Sequence, residues 1–302
     1  MNFKLNSRNQ SVSFSLIKGV ELVIKREDEI HPHISGNKYR KLKYNLFAAK
    51  EQGVETLLTF GGAYSNHIAA TASAGLEFGF KTIGVIRGDE LADKISNNAT
   101  LSFAKKCKMQ FKFISRKAYR EKTNLEFIKN LKKEFGNFYW LPEGGTNDLA
   151  IKGCEEILTK NDRDFDYICT PVGTGGTIAG IINSTSSTQK VLGFSSLKGD
   201  FLKDEIAKLT AKDNWNLITD YHFGAYGKIN NELIAFINKF KEETNIPLDP
   251  IYTGKMLFGL VDLIQKNTFK KGSKILAIHT GGLQGIEGMN KVLKQKGLVT
   301  IA

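Results

Sequence analysis

From Val20 to His279, short apolar runs of β character alternate with segments of helical periodicity almost without a break. A chain with this rhythm builds parallel sheets joined by crossover helices, so the expected class is α/β. The expected strands are Val20–Ile24, Thr56–Phe60, Lys81–Ile86, Gln110–Ile114, Phe138–Leu141, Tyr167–Pro171, Val191–Ser195, Asn216–Tyr221 and Lys274–His279. Helical patterns run near Leu42–Ala49, Asn66–Phe78, Asn98–Lys106, Leu125–Phe135, Asp148–Thr159, Thr177–Asn183, Glu232–Lys241, Lys255–Ile264 and Ile286–Leu293. At 302 residues the chain can bury a large core, as two lobes or one large unit. No repeat or low-complexity linker interrupts it, and the 5 prolines mark no boundary.

In parallel sheets, ligands sit beyond the carboxyl ends of the strands, where glycine-rich turns open helices. Three such turns occur here: Gly61 to His67, Gly173-Thr174-Gly175-Gly176-Thr177, and Thr280-Gly281-Gly282. In the second, glycines let backbone amides converge on an anion at a helix start, and threonines add hydroxyl donors. A phosphate cradle is favoured over a plain tight turn. It is not a Walker loop, since no Gly-Lys-Ser/Thr follows, nor a dinucleotide fingerprint, since Ile178 stands where glycine or alanine belongs. The expected strand Val191–Ser195 also ends in serine where the fingerprint needs an acid. Gly144-Gly145-Thr146-Asn147 reads as a connection.

Ser65, Asn66 and His67 open a helix, where amides and polar side chains either cap it or hold a carboxylate or phenolic oxygen. Asp249 to Lys255, His279-Thr280-Gly281-Gly282, and Tyr226 between glycines place further hydroxyls at expected strand or helix ends. His31-Pro32-His33 lacks the neighbouring acids or cysteines of a metal site, and no metal is expected.

Lys38 lies in Ser35-Gly36-Asn37-Lys38-Tyr39-Arg40-Lys41-Leu42, with Gly36 and Asn37 suiting a turn and an N-cap. There the helix dipole, Arg40 and Lys41 all disfavour its ammonium form. A partly deprotonated amine is what imine chemistry on a carbonyl requires. Lys38 is also one of 43 basic side chains, so the local sequence leaves a solvated lysine open.

Hydrophobic content of 41% and charged content of 25% fit a soluble protein, and no apolar run is long enough to span a bilayer. The N-terminus shows no secretory pattern, and Cys107, Cys154 and Cys169 form no C-x-x-C pair. Both favour a reducing, cytoplasmic setting without disulfides. The net charge of +12 is concentrated between Lys105 and Lys133, where Phe103, Leu125, Phe127, Ile128 and Leu131 are interleaved as in packed helices. A solvated face is favoured there over a nucleic-acid surface, which would bind in a steeply salt-dependent way and leave the protein colourless.

Taken in order, Ser-Gly-Asn-Lys-x-Arg-Lys-Leu, Gly-Gly-x-x-Ser-Asn-His, Gly-Thr-Gly-Gly-Thr, Tyr-Thr-Gly-Lys and His-Thr-Gly-Gly resemble the D-cysteine desulfhydrase / 1-aminocyclopropane-1-carboxylate deaminase family. The resemblance spans roughly Ile24 to Gly285 and implies a pyridoxal-phosphate enzyme of the tryptophan-synthase-β fold type (fold type II). That fold has two lobes, parallel twisted sheets and helices on both faces. It implies a large cofactor domain of residues 1–40 and 146–302, a small inserted domain of 41–145, and a homodimer. Lys38 becomes the Schiff-base lysine, Asn66 the partner of the cofactor's phenolic oxygen, and Gly173, Thr174, Gly175, Gly176 and Thr177 its phosphate site. Thr253 or Thr280 would lie near the pyridine nitrogen. Ser65, Asn66, His67, Tyr226 and Tyr252 would meet a small amino-acid substrate, with Ser65, Tyr226 and Tyr252 joining Lys38 in catalysis.

In the deaminases of this family a glutamate follows the tyrosine equivalent to Tyr252, and leucine occupies the His-x-Gly-Gly turn. Thr253 and Thr280 instead give the pattern of the D-cysteine enzymes. A neutral hydroxyl supports a weaker electron sink than a carboxylate does, which suits loss of a good β leaving group. The expected activity is therefore a lyase releasing hydrogen sulfide, ammonia and pyruvate from D-cysteine, the last step being hydrolytic. The alternative is deamination of the cyclopropane amino acid to 2-oxobutanoate. Gly281-Gly282-Leu283-Gln284-Gly285 departs from the usual desulfhydrase pattern, so the substrate's surroundings are expected to differ.

Overall fold

A computed structural model describes residues 1–302, with strands β1 (Asn9–Ser11), β2 (Glu21–Lys25), β3 (Thr56–Gly61), β4 (Lys81–Arg87), β5 (Gln110–Ile114), β6 (Tyr139–Leu141), β7 (Tyr167–Val172), β8 (Lys190–Ser195), β9 (Trp215–Ile218) and β10 (Lys274–Ile278). They form a six-stranded sheet, β1-β2-β10-β7-β8-β9, and a four-stranded sheet, β5-β4-β3-β6. All pairings are parallel except that of β1 with β2. The central strands are apolar on both faces, Ile168 and Cys169 being fully buried side by side, as parallel strands covered by helices must be.

The helices are α1 (Asn37–Glu51), α2 (Asn66–Phe78), α3 (Ala99–Lys106), α4 (Arg116–Tyr119), α5 (Leu125–Phe135), α6 (Asp148–Cys154), α7 (Gly176–Ser184), α8 (Phe201–Ala207), α9 (Asn231–Thr244), α10 (Thr253–Gln265) and α11 (Gly285–Gln295). Two apolar clusters flank the six-stranded sheet, one gathering α9, α10 and the end of α11, the other α7 and α8. Three more surround the four-stranded sheet, and α1 joins one of them through Leu42 and Leu46.

Differences from the expected elements have local causes. The edge strand β1 is three polar-sided residues with no apolar alternation, and only its pairing with β2 defines it. The helix expected over Asp148–Thr159 ends at Cys154, and Thr159 starts a separate short turn. Its hydroxyl and backbone N–H pair reciprocally with Asn161 and Asp162 in a capping box. At the head of α1 the N-cap is Gly36 at φ 63°, while Asn37 is already helical and donates to Thr177 Oγ1 at 2.7 Å. Leu125, expected to pack, begins α5 and is 86% exposed. The basic stretch is laced with ion pairs from Lys112 to Glu134, Arg116 to Glu90 and Lys122 to Glu143. All three cysteines are free and buried. No helix is long and apolar enough to cross a membrane.

Under the start of α1, the guanidinium of Arg40 makes two hydrogen bonds to Glu27, at 2.7 and 2.8 Å, and a third to the Leu5 carbonyl at 2.9 Å. Arg40 and Glu27 are 1% and 0% exposed, so neither charge can recover water if its partner is lost. Arg40→Met is expected to cost about 3–5 kcal/mol in urea unfolding, and Arg40→Met/Glu27→Leu to regain most of it. A single variant as stable as the parent chain would contradict this account of the pair.

Candidate active site

A cleft opens where the carboxyl ends of β3, β6, β7 and β10 come together, the position expected for a ligand in open parallel sheets. The space between its walls is about 630 Å³, open solvent at its mouth included. One close backbone contact sets its shape. A Cβ on Gly36 would stand 1.9 Å from the Thr280 carbonyl oxygen, and the Asn37 N–H donates to that same oxygen at 3.3 Å. The loop that leads into Lys38 is thereby pressed onto the turn that follows β10.

Lys38 lines the cleft on the first turn of α1. Its ammonium has no carboxylate partner, and its hydrogen bond is to Asn37 Oδ1 at 3.3 Å. The residue is half-buried. Burial, and then the charge of Lys41, push its pKa down to about 7. Arg40, expected from the sequence to contribute, is neutralised by Glu27 and takes no part. Burial dominates instead.

Opposite stands the turn after β7. Gly173, Thr174, Gly175 and Thr177 line the cleft, while Gly176 turns away and packs on Thr146. Gly175 has φ +83° and caps α7, and a Cβ on Gly173 would press on the ring of Tyr252 at 3.1 Å. Any side chain at either position is disfavoured, and the open backbone amides at the start of α7 make an anion cradle. The Gly144–Thr146 connection belongs to it as well. Thr146 Oγ1 lies 2.6 Å from Thr174 Oγ1, and Lys41 Nζ donates to Thr146 Oγ1 and to the Gly144 carbonyl, each at 3.1 Å. Lys41 is buried, and that burial lowers its pKa.

At the head of α2, Ser65 caps the helix by accepting from the Ile68 N–H at 3.3 Å, and Asn66 accepts from Gln284 Nε2 at 2.7 Å through Oδ1. In that orientation Asn66 Nδ2 makes no hydrogen bond within the protein and lies beside Gly282, where a Cβ would stand 2.8 Å from it. His67 is buried, and neither ring nitrogen has a hydrogen-bond partner. Burial, then the charges of Lys38 and Lys41, hold its pKa well below the ordinary value, so the imidazole is neutral. The phenols of Tyr252 and Tyr226 lie 3.5 Å apart at the cleft's side. Lys255 supports that loop by donating to the His222 and Ala225 carbonyls, at 2.9 and 3.1 Å.

The cleft thus gathers Lys38, Ser65, Asn66, His67, Gly173, Thr174, Gly175, Thr177, Tyr226, Tyr252 and Thr280. Thr253 does not line it. Its hydroxyl donates to Asp249 Oδ1 at 2.7 Å and accepts from the Asp249 N–H at 3.0 Å, which commits it to the cap of α10. Sequence reasoning missed Asn37, Lys41 and Gly144 as lining residues. Lys41 stood in the quoted motif, but nothing in one strand of sequence shows that its amine crosses to Thr146.

Two lysines and a histidine line the cleft with no aspartate or glutamate among the lining residues. A small dianion facing the α7 amides would complement that charge, and an aldehyde within reach of Lys38 would meet an amine of lowered basicity. Those are the functional groups of pyridoxal phosphate, and the residues fit them.

Residues 10–281 match the family model described as pyridoxal-phosphate dependent enzyme. The chain is 34% identical to a protein of Pyrococcus horikoshii named putative 1-aminocyclopropane-1-carboxylate deaminase, over 88% of this chain and 86% of that one. It is 33% identical to the mitochondrial bifunctional D-cysteine desulfhydrase/1-aminocyclopropane-1-carboxylate deaminase of Arabidopsis thaliana, over 90% and 74% of the two chains. To a D-cysteine desulfhydrase of Serratia proteamaculans it is 27% identical, over 87% of each. A crystal structure described as an ACC deaminase homologue superposes with a TM-score of 0.81 at 29% identity, covering 97% of this chain and 94% of the other.

Between its lowered folded pKa of about 7 and the ordinary 10.5, Lys38 holds fewer protons folded than unfolded. It therefore makes stability rise with pH across that window and imposes its full cost below it. Lys38→Met in the cofactor-free protein is expected to raise the thermal midpoint near pH 7, with the gain shrinking toward pH 10.5. A gain that grows with pH instead would show the assigned shift to have the wrong sign.

Proposed function

The chain belongs to the family of pyridoxal-phosphate-dependent enzymes, and on that footing we propose that it is a lyase removing the β-substituent and amino group of a small amino acid, with D-cysteine as the parent substrate. The observation that carries this reading is the unpaired amine of Lys38 facing the Gly173–Thr177 turn across a cleft without acids. Bound pyridoxal phosphate supplies the electron sink that lets an amino acid's α-C–H bond break.

In this reading the chain's own groups do the rest. The α7 amides, Thr174 and Thr177 hold the phosphate, with Lys41 adding charge behind the turn. Asn66 Nδ2 donates to the phenolic oxygen, and Thr280 offers a neutral hydroxyl at the ring nitrogen's end. Lys38 holds the cofactor, is displaced by substrate, and then carries the α-proton, a task for which a pKa of about 7 is well matched. Ser65 and His67 receive the substrate's carboxylate end. Tyr226 and Tyr252, the latter with its phenol kept protonated by burial and by Tyr226, face the reacting carbons. Cysteine and water would leave as pyruvate, ammonia and hydrogen sulfide.

A second reading, deamination of 1-aminocyclopropane-1-carboxylate to 2-oxobutanoate, has specific support in the names of the relatives. Against it stands the absence of any carboxylate in the cleft lining, which leaves no group to hold a proton on the ring nitrogen. We also propose residues 41–145 as the small lobe, 1–40 and 146–302 as the large one, and a homodimer, the last on the resemblance alone. The three free, buried cysteines support a reducing compartment, and we place the enzyme in the cytoplasm.

Borohydride reduction of the purified, coloured protein is expected to tether the cofactor to the peptide carrying Lys38, and Lys38→Ala to lose the visible band. Incubated side by side with D-cysteine and the cyclopropane amino acid, the wild-type enzyme should release pyruvate faster than 2-oxobutanoate. The reverse order would establish the second reading, and tethering at another lysine would displace Lys38.

A further inference from the structure

Beside the polar cleft lies a second chamber of about 700 Å³ including its mouth, and the two share Asn66, Tyr226 and Tyr252 as walls. The new chamber differs in character. Its far side is built from Tyr64, Ile251, Met289 and Val292, and contains no lysine, arginine or histidine. Asp249 borders it, but its carboxylate already accepts hydrogen bonds from the Ile251, Tyr252 and Thr253 N–H groups and from the Thr253 hydroxyl. A saturated carboxylate of this kind offers a ligand no free oxygen lone pair at ordinary hydrogen-bond geometry, so the chamber is apolar in effect.

Glycines keep it open. Gly285 begins α11, and a Cβ placed there meets nothing within 4 Å, so a side chain at this position would project into free space. A Cβ on Gly288 would press on the Tyr64 ring at 2.8 Å. These positions belong to the segment from Gly281 to Gly285 and the helix after it. A substrate held by its carboxylate near Ser65 and its α-amine near Lys38 has one remaining substituent. The two tyrosines that face the reacting carbons are also the partition between cleft and chamber.

We propose that this chamber receives the β-substituent, and that the enzyme acts on cysteines bearing an apolar group on sulfur in preference to cysteine itself. The inference rests on the lyase reading above and names its substrate class. The reaction balances as before: the α-proton is removed, the Cβ–S bond breaks with its electron pair on sulfur, and sulfur takes up a proton. Water then releases ammonia, leaving thiol, pyruvate and ammonia from one S-substituted cysteine and one water. Each methylene buried in the chamber should raise kcat/KM by about fourfold.

The test compares cysteine with its S-methyl, S-propyl and S-benzyl derivatives, in both configurations, on the holoenzyme, by pyruvate release. We expect kcat/KM to rise along the series by more than tenfold. Gly285→Leu, and independently Val292→Phe on the far wall, should cut the ratio of S-benzylcysteine to cysteine by at least tenfold. A second readout needs no elimination: calorimetric binding of phenylalanine should be at least tenfold tighter than that of alanine in the wild type, and this difference should vanish in both variants. A flat or falling series, or equal binding of phenylalanine and alanine, overturns the chamber assignment. If no cysteine derivative releases pyruvate while phenylalanine still binds preferentially, the lyase reading fails and the proposed substrate class with it, the chamber remaining an apolar side-chain pocket.

Discussion

The Thr280 carbonyl oxygen occupies the place where any side chain on residue 36 would begin. That single steric fact ties the loop leaving β2 to the turn leaving β10, two neighbouring strands whose ends lie far apart in sequence. With Gly36 at φ 63° the chain can turn directly into α1, which brings Asn37 into hydrogen-bonding reach of Thr177 and points Lys38 into the cleft. An alanine at 36 would force the two turns apart and move the amine with them. Placement of the Lys38 amine is thus a property of backbone packing, and two residues further along the same helix Arg40 is held in the buried pair with Glu27.

What the amino-acid order revealed, and what it hid, follows from the range of the interactions involved. The alternation of apolar and helical runs is local, so strands such as Gln110–Ile114 and helices such as Asn66–Phe78 and Leu125–Phe135 were legible to the residue. Elements defined by a partner were not: β1 exists because β2 accepts it, and the short turn over Lys160–Asp162 is defined by the cap that Thr159 builds with Asp162. The same division runs through the site. Lys38, Ser65-Asn66-His67 and the glycine turn after β7 could be named from their motifs, whereas the choice between Thr253 and Thr280 depended on Asp249, four residues before Thr253, claiming the Thr253 hydroxyl. Lys41 escaped notice because its meaning lies in Thr146, on another element altogether.

Electrostatically the cleft is one-sided. Burial lowers the pKa of Lys38, Lys41 and His67 alike, the charge of Lys41 lowers that of Lys38 further, both lysines lower that of His67, and no acid in the lining compensates. A protein gains nothing in stability from such an arrangement, since each ammonium loses water without gaining a carboxylate. The chain meets this cost with carbonyl and hydroxyl acceptors for Lys41, leaves Lys38 with a single weak contact, and keeps His67 neutral.

If the cofactor occupies this cleft as proposed, this uncompensated charge accounts for its affinity. Whatever fills the cleft with a dianionic phosphate replaces repulsion among the amines by attraction, so the energy withheld from the empty fold is returned on binding. A carboxylate in the lining would have stabilised the empty protein and weakened that return. It would also have drawn the proton of Lys38 back onto the amine, raising its pKa away from the range where it can exchange protons freely. The absence of acids therefore serves affinity and reactivity together. On the assignment proposed above, the neutral threonine at position 280, packed against the loop that leads into Lys38, follows the same rule and leaves proton transfer to Lys38.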